Sequence, residues 1–337
     1  DLMIRDNDLV AATAGRAFWI LDDLGAIQQA ANASAVTLFT PKPAYKFGGG
    51  TGLPEAKYKA GQNAPEGVIL DYILPEVTDS TLVTLKITDA SGKLIRTYSN
   101  KKDASYVKYP GGPAAATLLS AKKGHNRFLW NLRNENVQPD VKNVFVYGSY
   151  DGYAVPPGKY KAQLNFNGTI SETEMMVLAN PAISATAADW NEQQQILASI
   201  TASISEMHQQ VNELRKIRKQ LIHHSDILKG VKPAEKVLDE AKKLIEGIDA
   251  WESNIVEGRI QNGQDVINWP SKLNVEFFNI KRLADAADPR ITQGIKTRLA
   301  DLQSQWNAEK GKVEAIKKSV AAYNTLYKSQ QLEALIF

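Results

Sequence analysis

The chain has 337 residues, of which 43% are hydrophobic and 23% are charged, a composition typical of a soluble globular protein with two or three packed domains. Forty basic and 37 acidic residues leave a net charge of +3 with no basic block, which argues against nucleic acid as a partner. The absence of cysteine excludes disulfides, thiolate catalysis and cysteine-ligated zinc, and no apolar run is long enough for a membrane span.

The first predicted element is a β-hairpin, two short strands joined by a turn, in the segment NDLVAATAGRAFWILDD at residues 7–23. Its second strand carries the apolar run Phe18, Trp19, Ile20 and Leu21. An isolated hairpin is marginal in water, and burying one side chain of this size stabilises a protein by roughly 1.5–3 kcal/mol. We therefore expect these four side chains to be covered, in the first place by the domain that follows and otherwise by a second copy of the chain.

Short alternating apolar stretches, separated by turn residues, continue to about residue 185. Residues 80–98 predict a hairpin that turns at DASG, residues 125–133 predict a strand, and residues 158–178 predict a second hairpin that turns at Asn167-Gly168. About seven strands at this spacing predict an antiparallel β-sandwich of the immunoglobulin or fibronectin type III kind.

Beyond residue 185 the apolar period becomes that of helices. Three stripes are visible, from Leu197 to Leu221, from Val237 to Ile255 and from Ile295 to Tyr327, and Thr186 with Asp189 predicts a capping box before the first. The stretch NWPSKLNVEFFNI at residues 268–280 reads as irregular. Stripes of this length predict an antiparallel three-helix bundle.

The predicted organisation is a multi-domain α+β chain. Residues 1–40 hold the terminal hairpin and a linker, residues 41–183 the β-sandwich and residues 184–337 the helical bundle. We expect the sandwich and the bundle to be separable folding units that meet at residues 179–187, since few apolar residues cross this point. The glycine-rich segment at residues 47–54 lacks the Gly-Lys-Ser/Thr ending of a phosphate loop and is interpreted as a flexible linker.

No catalytic, cofactor-binding or metal-binding residues are predicted. His223 and His224 are adjacent, so on a helix they point about 100° apart and do not form a metal pair. His208 fails the His-Glu-x-x-His pattern, and no serine lies in a Gly-x-Ser-x-Gly elbow. Asp22 and Asp23 point to opposite faces of an extended strand, which argues against an acid and base pair.

Aromatic residues cluster near one end of the predicted sandwich, and exposed rings stack well on sugar faces. Sandwich domains also bury tyrosine and tryptophan routinely, and core or turn packing is the favoured interpretation. The candidate carbohydrate contacts are Tyr147, Tyr150, Tyr153 and Trp130.

The hairpin segment resembles the final-blade signature of large bacterial propeller proteins of the BNR-repeat, sortilin-like glycosyl hydrolase class, which reads Asp-Leu-Val-x-x-Thr-His-Gly-Arg-x-Phe-Trp-Ile-Leu-Asp-Asp. Ala14 stands where that pattern has histidine. Later segments resemble the regions that follow the propeller in the same proteins: GQNAPEGVILDYIL (61–74), GHNRFLWNLR (124–133), VPPGKY (155–160) and NWPSKLNVEFFNIKRLADAADPRITQ (268–293).

The resemblance implies a non-catalytic accessory or interaction module, because the chain has no Ser-x-Asp-x-Gly-x-x-Trp box of a propeller blade and no recognisable catalytic carboxylate pair. It implies a β-propeller domain or a partner chain as the occupant of the surface formed by Phe18, Trp19, Ile20 and Leu21. It also implies a periplasmic or secreted location. The alternative is a carbohydrate-binding or hydrolase-associated protein that acts on extracellular glycans.

Overall fold

A computed structural model describes residues 1–47 and 65–332 and shows a mixed α+β architecture. The segment predicted to be a glycine-rich linker lies outside the described residues, apart from Phe47. The described part contains three β-sheets and five α-helices. None of these helices combines the length and the apolar character that crossing a bilayer requires.

The N-terminal unit is a small sheet of three antiparallel strands in the order β1-β2-β3, followed by a short helix, α1. These elements are β1 (Leu2–Arg5), β2 (Asp8–Ala12), β3 (Phe18–Leu21) and α1 (Gly25–Ala30). The hairpin predicted from the sequence is present as β2 and β3, and β1 was missed. Asp6 and Asn7 both have positive φ in the β1–β2 turn, the conformation of a two-residue hairpin, but this pair lacks the glycine that usually signals such a turn.

Two further sheets face each other and share one core. The five-stranded sheet has the order β5-β11-β10-β7-β8 and the three-stranded sheet the order β4-β6-β9. Their strands are β4 (Thr37–Leu38), β5 (Ala44–Lys46), β6 (Val68–Leu74), β7 (Val83–Asp89), β8 (Leu94–Ser99), β9 (Gly124–Trp130), β10 (Gly158–Phe166) and β11 (Thr169–Ala179). The hairpins predicted at 80–98 and 158–178 are confirmed as β7–β8 and β10–β11.

Aromatic contacts join the two sheets across this core. The ring centroids of Tyr98 and Phe128 are 4.5 Å apart, and those of Trp130 and Tyr160 are 5.2 Å apart; in each pair the rings come from opposite sheets. Every strand pair of the two sheets is antiparallel except β5 with β11, which is parallel. This exception arises where the chain crosses from the small sheet to the large one between β4 and β5, through a segment containing Pro41 and Pro43.

Four helices form the C-terminal half: α2 (Ala187–Leu228), α3 (Glu235–Ile255), α4 (Leu273–Ala284) and α5 (Gln293–Ser329). The predicted capping box is confirmed, since the Thr186 hydroxyl accepts from the Asp189 amide and the Asp189 carboxylate accepts from the Thr186 amide. Helix α4 occupies much of the stretch that the sequence predicted to be irregular. Its start after Pro270 lacks a side-chain cap, which explains why no helix signal was read there.

Contacts between the helices fix their directions. Helices α2 and α5 run parallel, as the pairs Ser199–Gln303 and Glu213–Lys317 show. Helix α3 runs against α2, with Arg215 bonded to Glu252. Helix α4 also runs against α2, because Gln193 bonds to the Ala284 carbonyl and His208 lies against Phe278. Helices α3 and α4 therefore both lie antiparallel to α2, one after the other along its length.

The connection between β9 and β10 leaves the sandwich and packs into the core of the helices. Val137, Val141, Val144, Val146 and Tyr150 are buried in one cluster with side chains of α2, α3, α4 and α5. This part of the helical core comes from before the boundary predicted at residues 179–187. The sandwich keeps a core of its own, and residues 137–150 belong to the helical core although they precede the start of α2.

Candidate interaction surface

The N-terminal sheet exposes seven large hydrophobic side chains, all seven from β1 and β3. Antiparallel neighbours that stand opposite each other project to the same face of a sheet. The register pairs Leu2 with Ala11 and Met3 with Val10, and the β2–β3 ladder extends both sets. The first face carries Leu2, Ile4, Leu9, Ala11, Trp19 and Leu21. The second face carries Met3, Val10, Ala12, Phe18 and Ile20, with the charged pair Arg5 and Asp8 at one end.

Both faces are apolar, and both lie open to solvent. Phe18 on the second face is 74% exposed and Trp19 on the first face is 64% exposed. A strand that is buried on one side alternates apolar with polar residues, whereas a strand buried on both sides is continuously apolar. The sheet therefore has the residue pattern of a β-sheet that is buried on both faces.

The sandwich and the helices do not cover the run from Phe18 to Leu21, so the expected packing on the domain that follows is wrong for this structure. The reason is the attachment of the sheet. It joins the remainder of the chain through polar contacts at one end, which hold its position but leave its faces free.

Those polar contacts converge on two aspartates. Asp8 Oδ1 accepts from the Asp23 amide at 2.9 Å and pairs with Lys42 Nζ at 3.0 Å. Asp23 Oδ1 accepts from Asn7 Nδ2 at 3.0 Å and from the Gly25 amide at 2.9 Å. The hydrogen bond from the Asp23 amide, and then Lys42, lower the pKa of Asp8 below its ordinary value, because they stabilise the carboxylate. Asp23 thus has a structural role at the end of β3.

The four candidate carbohydrate contacts, for which core packing was the favoured interpretation, do not form one exposed surface. Trp130 is completely buried and Tyr150 is 4% exposed, with its ring against Phe278, so core packing is confirmed for these two. Tyr153 is partly buried against the helical core, and Tyr147 is 58% exposed and apart from them.

The histidines occupy different environments and do not come together. His208 is buried, and its Nδ1 donates to the Pro139 carbonyl at 2.9 Å. His125 pairs with Asp71 on the outer face of the small sheet, and His224 stacks on Tyr327. Across residues 1–47 and 65–332, no three histidine, aspartate or glutamate side chains lie close enough to hold a metal ion.

A buried charged cluster at the junction of the two halves was missed by sequence reasoning. Arg133 Nη1 pairs with Asp285 at 2.8 Å, and Lys281 Nζ donates to the carbonyls of Ser149 and Asp151. Lys46 lies over the Trp190 ring, 4.5 Å from its centroid. Burial lowers the pKa of Lys46 and of Lys281 to about 8. These residues are scattered along the sequence, so spacing carries no signal of the cluster.

Comparison of the chain with protein-family models, with curated proteins and with solved structures gave no match.

Proposed function

We propose that the chain is a non-catalytic interaction module whose N-terminal sheet docks as the central layer between two apolar β-sheet surfaces of a partner. The observation that carries the proposal is the pair of exposed apolar faces on one three-stranded sheet. Monomeric proteins rarely expose contiguous apolar patches of more than a few hundred Å². Covering seven large side chains is worth on the order of 10 kcal/mol before the costs of association.

The occupant is a β-sheet structure and not a second copy of the chain. A symmetric pair of chains that stack through the first face leaves the second face in water, and pairing through strand edges covers neither face. A partner that offers an apolar layer on each side satisfies both faces. Adjacent blades of a β-propeller have this form, and the resemblance of residues 8–23 to a final blade supports a propeller domain as the partner.

The same proposal includes the finer fold assignments. We assign the sandwich to the immunoglobulin or fibronectin type III kind and the helices to a three-helix bundle whose middle rod is split into α3 and α4. Both serve as a rigid base for the docking sheet. The resemblance also supports a periplasmic or secreted location.

Site-specific photo-crosslinking tests the docking of both faces in cells that make the protein. A photoreactive phenylalanine analogue is placed at Phe18 for the second face and at Trp19 for the first face. Tyr147 is a matched control, because it is an exposed aromatic residue outside the sheet.

The expected result is that positions 18 and 19 crosslink to different β-strand peptides of one partner structure and that position 147 does not. Crosslinks only to a second copy of this chain would replace the proposal with a homodimer. Equal crosslinking at all three positions, or none at positions 18 and 19, would overturn it.

A further inference from the structure

A cleft of about 270 Å³ lies where the sandwich meets the first turns of α2. We call it the junction cleft. It receives residues from β7, from β8 and the turn before it, from the start of β10, from the β9–β10 connection and from α2. Its polar lining consists of Asp89, Lys93, Asn134, Tyr153, Gln194 and Gln195.

The junction cleft has an apolar floor and a polar rim. Ile95, Val155 and Tyr160 are buried and form the floor. The rim carries carboxylate, ammonium and amide groups, of which those of Lys93 and Gln195 are exposed. An apolar base with a few convergent polar groups is the usual form of a small-molecule site, and such sites favour the interface between two domains.

Several rim groups keep unused hydrogen-bonding capacity within the described part of the chain. Asp89 Oδ1 accepts from Ser91 and from the Lys93 amide, which leaves Oδ2 without a bond. Asn134 Nδ2 donates to the Tyr153 carbonyl and leaves Oδ1 open. Gln194 Nε2 donates to the Ala154 carbonyl at 3.0 Å and leaves Oε1 open. In each of these three side chains, hydrogen bonds within the protein fix the orientation, and a second oxygen remains able to accept a hydrogen bond from a ligand.

The junction cleft also carries hydrogen-bond donors. The Lys93 ammonium, the Gln195 amide and the Tyr153 hydroxyl make no hydrogen bond to the described residues, and all three line the junction cleft. Burial raises the pKa of Tyr153, so its hydroxyl keeps its proton and remains a donor at neutral pH. The lining carries one aspartate and one lysine, so its formal charge is zero.

The mixture of donors and acceptors over an apolar floor favours some classes of ligand and excludes others. An anion would meet the Asp89 carboxylate, and a wholly apolar ligand would leave the buried side of the rim without partners, which costs about 1–3 kcal/mol for each unsatisfied group. A hydroxyl both donates and accepts, so a ring that carries several hydroxyls matches mixed donors and acceptors. The apolar floor suits the C–H face of such a ring.

We propose that the junction cleft binds a neutral polyhydroxylated ligand, one sugar ring in size. Its volume lies just below the usual range of about 300–1,000 Å³ for ligand pockets, which fits a single ring better than an oligosaccharide. The site differs from the predicted rings Trp130, Tyr147 and Tyr150, and of that set it retains only Tyr153. It also lies on a different surface from the N-terminal sheet, so it stands independently of the proposed docking function.

Saturation-transfer NMR with the full chain tests the site. The probes are glucose, galactose, mannose and N-acetylglucosamine at 10 mM, together with benzoate as an anionic probe and benzyl alcohol as an apolar probe. The blocking variant is Ala198→Trp, which places a large ring on the exposed rim. The matched control is Ala202→Trp, one helical turn away, exposed and outside the lining.

At least one sugar should give a transfer signal that disappears in Ala198→Trp and persists in Ala202→Trp. Gln195→Ala, an exposed change that favours the helix, should weaken that sugar at least fivefold without lowering Tm. The proposal is overturned if no sugar gives a signal, if the signal survives Ala198→Trp, or if benzoate or benzyl alcohol gives the stronger signal blocked by that variant.

Discussion

Arg133 and Asp285 form an ion pair of 2.8 Å that joins the strand side of the molecule to the helical side. The other carboxylate oxygen of Asp285 accepts from the Ala154 amide at 3.0 Å. Lys46 and Lys281 contribute positive charge around the same carboxylate. Both carboxylate oxygens of Asp285 are therefore engaged at the junction, one by Arg133 and the other by the Ala154 amide.

Replacing Asp285 by alanine should destabilise the protein by about 3 kcal/mol, because removing one partner of a buried pair leaves the other charge uncompensated. Chemical denaturation followed by circular dichroism measures the change. Asp288→Ala is the control, since Asp288 pairs with Arg290 in solvent and its loss should leave the transition unmoved. Equal effects of the two variants would contradict the assigned role of Asp285.

The sandwich and the helices should unfold together in one calorimetric transition. Tyr150 lies against Phe278 and His208 in the helical core, although it belongs to the β9–β10 connection. Tyr150→Ala should cost about 3 kcal/mol and shift the whole transition to lower temperature. Two separated transitions, with only the lower one moved by this variant, would show that the halves are independent.

The free energy of unfolding should fall as the pH drops from 6.5 towards 4. Burial lowers the pKa of His208 from 6.5 to about 4, and its Nε2 has no hydrogen-bond partner among the described residues. The His208 imidazole therefore takes up a proton at a higher pH in the unfolded chain than in the folded chain. Its contribution to the free energy of unfolding is fully present above pH 6.5 and is lost as the pH falls through the folded pKa.

The contribution of His208 is about 3 kcal/mol across this window. His208→Gln should flatten the dependence when the stability of the variant is measured at intervals between pH 7 and pH 4. His223→Gln is the control, because His223 is exposed on the same helix. An unchanged slope in His208→Gln would rule out His208 as its source.

Lys46→Met should be as stable as the natural protein at pH 7 or more stable. Lys46 is buried, and its ammonium has no hydrogen-bond partner within residues 1–47 and 65–332. Methionine fills a similar volume without a charge. The folded pKa near 8 lies below the ordinary value of 10.5, so stability should rise with pH between these values in the natural protein. Denaturation at pH 7 and at pH 10 should show a smaller rise in the variant.

Changing Phe18 and Trp19 to serine should leave Tm unchanged within the error of the measurement, because neither ring is buried in the monomer. The same change should remove most of the binding of a hydrophobic dye to the isolated protein. A large drop in Tm would indicate that the sheet faces pack against the remainder of the chain in solution.

The sequence predicted the elements that have a strong local period. The hairpins β7–β8 and β10–β11 alternate clearly and turn at glycine, and α2 begins at a capping box, so each was found close to its position. Strand β1 and helix α4 were missed because their signals are weak locally, an Asp-Asn turn in one case and an uncapped start in the other.

The functional features depend on contacts that spacing does not encode. The apolar run Phe18 to Leu21 was recognised, but its exposure on two faces follows from the register with β2 and from the polar attachment at Asp8 and Asp23. The junction cleft joins Asp89 with Gln194 only after α2 has packed on the sandwich. Side chains that lie together in the fold but more than a hundred residues apart in the sequence form no local sequence motif.

The β9–β10 connection also limits the positions at which this chain could be recombined with another without disrupting a core. A gene crossover at residue 184 would look permissive, because it falls in a short proline-containing segment before a well-capped helix. It would nevertheless separate Val141 and Tyr150 from the helices against which they pack. The tolerant recombination joint lies instead near Asp23, where a few polar contacts connect the N-terminal sheet to the rest. Exchange of the N-terminal sheet at that point would leave the core of the sandwich and the core of the helices intact.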